Sequence, residues 1–146
     1  MTSMNGNTIS LTALHGLSDA TAGQDVLRYI GLPTLLGEEK DTILYFFGRN
    51  LARQFEIDEV EDMYYIFQKL KWGNLEVVKE KRNRVTLYLM ADEVVQRIES
   101  SIDAEFRIEA GFIAEVFQKI FQRGTECIEE LNKKLYRVEF TVHFTD

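Results

Sequence analysis

Cysteine and histidine are nearly missing from this chain, which has one Cys and two His in 146 residues. A lone thiol, Cys127, excludes an intramolecular disulfide, and with only His15 and His143 beside it there are too few ligands for a thiolate zinc cage. That usage fits a reducing compartment, and a cytoplasmic location is the prediction. Positive charge is also short. Seventeen Lys and Arg against 24 Asp and Glu leave a net charge of −7, which opposes approach to a polyanion and sets nucleic acid aside as a partner. No apolar run reaches the roughly 20 residues that a membrane-spanning helix needs, so a soluble protein is predicted. The GxxxxGKS/T loop, a GxGxxG after a strand, the GxSxG elbow and the HExxH helix are all missing. Phosphate-loop, dinucleotide, serine-hydrolase and zincin chemistry therefore lack support.

Aromatic residues, by contrast, are plentiful: ten Phe, six Tyr and one Trp. A single domain of this length buries roughly 70% of its unfolded surface, and these rings must fill much of the core. The first 24 residues, MTSMNGNTISLTALHGLSDATAGQ, lack Lys and Arg and break their apolar positions with Thr, His and Gly. Residues 1–22 are predicted to be a mobile arm and 23–146 a single α+β domain.

Within that domain QDVLRYIGLP predicts a short helix ended by Gly31 and Pro33, and LLGEEKD a turn at Gly37 with Asp41 capping the next helix. That helix carries Ile43, Leu44, Phe47, Leu51 and Phe55 as a buried stripe, with Arg49, Asn50, Arg53 and Gln54 on the other side. Leu44, Gly48 and Ala52 lie above one another, so a second backbone can come close. DEVE predicts a capping box of Asp58 and Glu61 at the start of a third helix. LEVVKEK and RVTLYLM flank Arg82 and Asn83 as a β-hairpin, ADEVVQRIES is a short helix, and about 105–122 is a long apolar one. TECIEEL and RVEFTVHF then read as a second hairpin, with Val138, Phe140, Val142 and Phe144 inward. The predicted fold is α+β, helices packed on a small antiparallel sheet built from two hairpins.

FRIEAGFIAE, at 106–115, sets two acids in the long helix. Glu109 and Glu115 point roughly 120° apart around it, wrong for a shared catalytic atom, so both are predicted to face water beside a packing seam of Ala110, Gly111 and Ala114. Phe112 and Phe117 either line an apolar pocket or simply fill the core. His143 is predicted to be exposed on the last strand and His15 to sit in the arm, while a Cys127–His143 nucleophile pair lacks an orienting third group. Lys69, Lys71, Lys79, Lys81, Arg82 and Arg84 crowd the first hairpin, as a solvated tip or as a docking surface for an acidic partner.

In order along the chain, GLPTLLGEE, GRNLARQF, KWGNLEVV, FRIEAGFIAE and RVEFTVHF resemble the YslB-like family, small bacterial proteins carrying a domain of unknown function. The resemblance covers about Val26 to Phe144. It implies the fold shared by four-vinyl-reductase-type regulators, Bet3-like tethering subunits and haem-based nitric oxide sensors, whose interiors take hydrophobic ligands and whose helices dimerise. The metal-linked cysteines, the proximal histidine and the tyrosine-serine-arginine signature of those relatives have no counterpart, so neither haem nor metal is carried over. The prediction is a non-enzymatic cytoplasmic binding or interaction module with no cofactor, homodimeric through helices such as the one bearing Gly48 and Ala52. The alternatives are a sensor or carrier of an apolar small molecule and an unrecognised hydrolase using Glu109 or His143.

Overall fold

Alternation dictates the sheet. The computed structural model describes residues 9–100 and 102–146, and its four strands are β1 (Asn74–Lys81), β2 (Arg84–Met90), β3 (Thr125–Asn132) and β4 (Arg137–Phe144). All are antiparallel, in the order β1-β2-β4-β3, so the two hairpins meet through β2 and β4. The register sets Leu87 against Phe140 and Cys127 against Val142. Val85, Leu87, Leu89, Val138, Phe140 and Val142 are all buried on the inner face. A bulge interrupts β1 between Val77 and Lys79, where the outer strand needs no regular ladder.

Onto that face packs α7 (Arg107–Phe121), and α4 (Lys40–Ala52) lies against α7. α5 (Val60–Lys69) closes one end, where Phe67, Trp72 and Phe112 meet edge to face with centroids 5.0 to 5.7 Å apart. The fold is thus α+β with helices on a two-hairpin antiparallel sheet. α5 is capped one residue later than the DEVE spacing suggests, with Asp62 accepting from the backbone N–H groups of Asp58 and Glu59 at 2.9 and 3.0 Å. α6 (Asp92–Glu99) joins β2 to α7.

Two readings of the helical half are corrected. Gly31 and Pro33 do not end a helix: α2 (Ala22–Val26) passes through a π turn at Leu27–Gly31 into α3 (Leu32–Leu36). Gly31 keeps a right-handed φ of −71°, and Pro33 falls in the first turn after the π segment, where its missing N–H is tolerated. The reversal comes instead at Gly37, with φ 67°, followed by a 3-10 turn that leads directly into α4. On α4 the buried residues are Leu44, Tyr45, Gly48, Arg49 and Ala52. Arg49 is therefore inside, while Ile43 and Phe47 of the supposed core stripe are outside. The face that carries glycine wins because only there can α7 approach closely.

The segment read as an arm, 1–22, lies outside the described residues over its first eight positions. Beyond them it forms α1 (Leu11–His15) and buries Leu17 and Thr21. Among the described residues no helix is long and apolar enough to cross a membrane.

Candidate functional site

The seam between α4 and α7 is built from glycine. A Cβ on Gly48 would overlap the carbonyl oxygen of Ile108, and one on Gly111 would overlap that of Tyr45. Each glycine is the socket for the other helix's backbone, with Ala52, Ala110 and Ala114 buried alongside. These small residues meet inside one chain, which removes the reason for assigning Gly48 and Ala52 to a contact between copies.

Close backbones carry their neighbours inward, and here the neighbours are charged. Glu109 and Glu115 do not face water. Glu109 is fully covered and accepts from Arg28 Nη1 and Nη2 at 2.8 and 2.6 Å. The same guanidinium donates to the Glu105 carboxylate at 3.0 Å and to its carbonyl oxygen at 3.1 Å. Burial opposes the Arg28 charge, yet Glu109 and Glu105 hold its pKa well above the ordinary value. Glu115 accepts from Arg49 Nε at 3.0 Å and from Arg53 Nε at 2.9 Å. Arg49 continues to the Thr125 carbonyl at 2.9 Å and to Gln118 at 2.8 Å. Tyr45 donates to Glu126 and accepts from the Cys127 amide, and burial together with the Glu126 contact pushes its phenol up to about 12. Both carboxylates of FRIEAGFIAE are thus paired with arginine rather than turned to water.

A second buried pair had no visible signal in the sequence. Arg97 on α6 donates from Nε to Asp25 on α2 at 2.9 Å, both side chains being 2% exposed, and Thr21 donates to the other Asp25 oxygen at 3.0 Å. Arg49 had one usable signal: it stands four residues after Tyr45 and next to Gly48, so the face that accepts a backbone at glycine must take Arg49 with it.

The remaining candidates separate. Cys127 and His143 point to opposite faces of the sheet, Cys127 being opposite Val142 and His143 opposite Glu126. Burial raises the Cys127 thiol well above its usual range, which keeps it unreactive. His15 is exposed at the end of α1. Phe112 is fully buried among Phe55, Phe67 and Trp72, and Phe117 stacks on Phe121 at 5.6 Å, so both rings are packed in the core. The basic cluster divides. Lys69 ends α5 and Lys71 lies in the turn before β1, whereas Lys79 and Lys81 lie in the far half of that strand and Arg82 and Arg84 at the turn into β2, roughly 20 Å away along an extended strand. Among the described residues no group of His, Cys, Asp and Glu is arranged to hold a metal ion.

What stays uncovered is apolar. On the side of α4 away from α7, Ile43, Phe46 and Phe47 are 43%, 56% and 51% exposed, and Leu35 of α3 is also open.

Comparison with known proteins follows the same outline. YslB of Bacillus subtilis (strain 168), an uncharacterized protein, is 30% identical over 118 residues, covering 81% of this chain and 80% of its own length. The uncharacterized protein MJ1642 of Methanocaldococcus jannaschii is 22% identical over 105 residues, 71% of this chain and 63% of its own. Among solved structures, a vinyl-4-reductase family protein from Methanocaldococcus jannaschii superimposes with a TM-score of 0.57 at 18% identity, over 93% of this chain and 94% of that one. An H-NOX protein from K. algicida in the Fe(II) unliganded state gives 0.51 at 11% identity, over 86% and 74%. At such identities these two likenesses concern the fold alone. The model of the family described as protein of unknown function (DUF2507) matches residues 21–143, and with that span and the YslB relationship the chain belongs to the DUF2507 family.

Proposed function

We propose that this protein is a non-enzymatic, cytoplasmic interaction module that works as a homodimer through the outward face of α4. The uncovered set of Ile43, Phe46 and Phe47 carries this reading, since two phenylalanines half exposed on one helix face are costly to leave in water. A second copy suits the face. In an antiparallel pair of α4 helices about a two-fold axis near Phe47, the Phe46 and Phe47 rings of the two copies cover one another and the helix dipoles oppose favourably. The middle of the face is uncharged, so the net charge of −7 does not bar approach there.

The non-enzymatic part rests on the fate of the candidate groups: the two carboxylates are bound to arginine and the thiol is buried. Sedimentation velocity at micromolar concentration should show a dimer that Phe46→Asp with Phe47→Asp converts to a folded monomer. A wild-type monomer at 100 µM, or a variant that still dimerises, would remove this reading.

A further inference from the structure

The basic cluster, which the dimer reading leaves unused, is regular at its hairpin end. Register places Lys81 opposite Arg84 and Arg84 opposite His143, with Lys79 opposite Thr86 and Thr86 opposite Thr141 in the next row. Val85 and Leu87 are buried in the core, so Arg84 and Thr86, with the residues paired to them, stand on the outer face of the sheet. That face is open. Ile128, in the row of Thr141, is 58% exposed, and Lys79, Lys81, Arg82 and Arg84 are all exposed. Among the described residues the ion pairs involve none of these four cations. Glu80, the acid between the two lysines, is opposite Val85 and so projects from the other face. Arg123 braces the tip, donating to the Arg82 carbonyl oxygen at 3.1 Å and to Asn83 at 3.3 Å. Guarding a free sheet edge would explain Lys79 and Lys81 on β1. It does not explain Arg84 on the interior strand β2, where a like charge directly opposite Lys81 costs stability. We infer that this end of the outer face is a docking surface for an extended acidic segment of a partner protein, with carboxylates at alternate residues set on Lys79, Lys81 and Arg84.

Spacing and charge select this occupant. In an extended chain alternate side chains share a side and stand roughly 7 Å apart, the same interval that separates Lys79 from Lys81 along β1. Arg84 lies roughly 5 Å across the ladder from Lys81, so one carboxylate can take a charge-assisted bond from both. A broad polyanion fits poorly. The row of Tyr88, two residues beyond Thr86 on the same face, carries Glu76, Glu139 and Glu130. A nucleic-acid strand or an anionic bilayer lying on the sheet would meet these acids roughly 7 Å past the Lys79 row, within the roughly 8 Å over which charge is felt at physiological salt. The net charge of −7 adds to that repulsion, whereas a short segment confined to the hairpin end avoids the acids. The inference goes beyond the dimer reading and does not rest on it, since the hairpin end and the outer face of α4 share no residue.

The test is an amide NMR titration of the full chain with the capped peptide SEVEVES, its uncharged counterpart SQVQVQS, an oligothymidylate strand and phosphatidylserine vesicles. Saturable shifts are expected at Lys79, Lys81, Arg84 and Thr86 with the glutamate peptide. Exchange of its glutamates for glutamine should weaken binding at least about fivefold, and so should about 0.5 M NaCl. Lys81→Glu with Arg84→Glu, at two exposed positions, should abolish the shifts while the rest of the spectrum stays that of the folded protein. Lys69→Glu with Lys71→Glu changes the net charge equally but lies off the surface, so it should bind within about twofold of wild type. The surface is refuted if the glutamate peptide gives no saturable shift at the hairpin, if the glutamine peptide binds equally, or if both double variants lose binding alike. Tighter binding of the oligonucleotide or the vesicles at these residues would equally overturn the acidic segment as occupant.

Discussion

Glu109 takes its charge into a fully covered position, and Arg28 answers it from 81 residues away. Such a pair contributes little net stability when both partners are present, because desolvation offsets the attraction, but removal of one partner strands the other. Arg28→Leu should therefore destabilise the protein by about 3–5 kcal/mol, since Glu109 then has no cation. Glu109→Leu should cost less, because Glu105 still holds the guanidinium at 3.0 Å. The double variant should recover part of the loss, a coupling that urea unfolding of all four proteins measures directly. Additive costs would show that the two side chains do not act as a unit. Neither partner was legible locally: Arg28 sits in a helical run like any solvated arginine, and its acid lies on another element. The acids of FRIEAGFIAE were visible as a pair out of register for shared chemistry, but their burial was not.

At the scale of elements, α4 and α7 depend on two glycines that occupy each other's backbone space. Gly48→Ala or Gly111→Ala must push the helices apart, because the clashing atoms are carbonyls and not flexible side chains. A loss of about 3 kcal/mol or more is expected. Gly23→Ala in α2, where a new Cβ meets nothing within 4 Å, should instead be neutral or stabilising by a few tenths of a kcal/mol. Thermal unfolding of the three variants checks both signs, and an unharmed Gly111→Ala would show that the seam can open cheaply. The strands and α7 were readable from their periods, as was the tight turn at Arg82 and Asn83. The passage from α2 to α3 was not. A π turn displaces the register by one residue and lets Pro33 continue a path that an ordinary α-helix would have ended.

For the whole molecule, α7 sits between α4 and the sheet, and the deepest residues come from it and from the two central strands. Native-state hydrogen exchange should find the slowest amides near Phe112–Val116, Leu87 and Phe140. α1, which buries none of its residues, should open first. Comparable protection in α1 and α7 would contradict this ranking. The sequence by itself determined the strands, the pairing of strands into hairpins, the long apolar helix and the places where two backbones touch, because each follows from a period or a residue size expressed over a few neighbours. Tertiary structure alone decided which face of α4 turns inward, that Arg28 finds Glu109 and Arg97 finds Asp25, and that a basic cluster crowded in sequence is split in space. Those outcomes depend on segments some 70 to 80 residues apart being brought together, and no local pattern records which distant charge a buried one will meet.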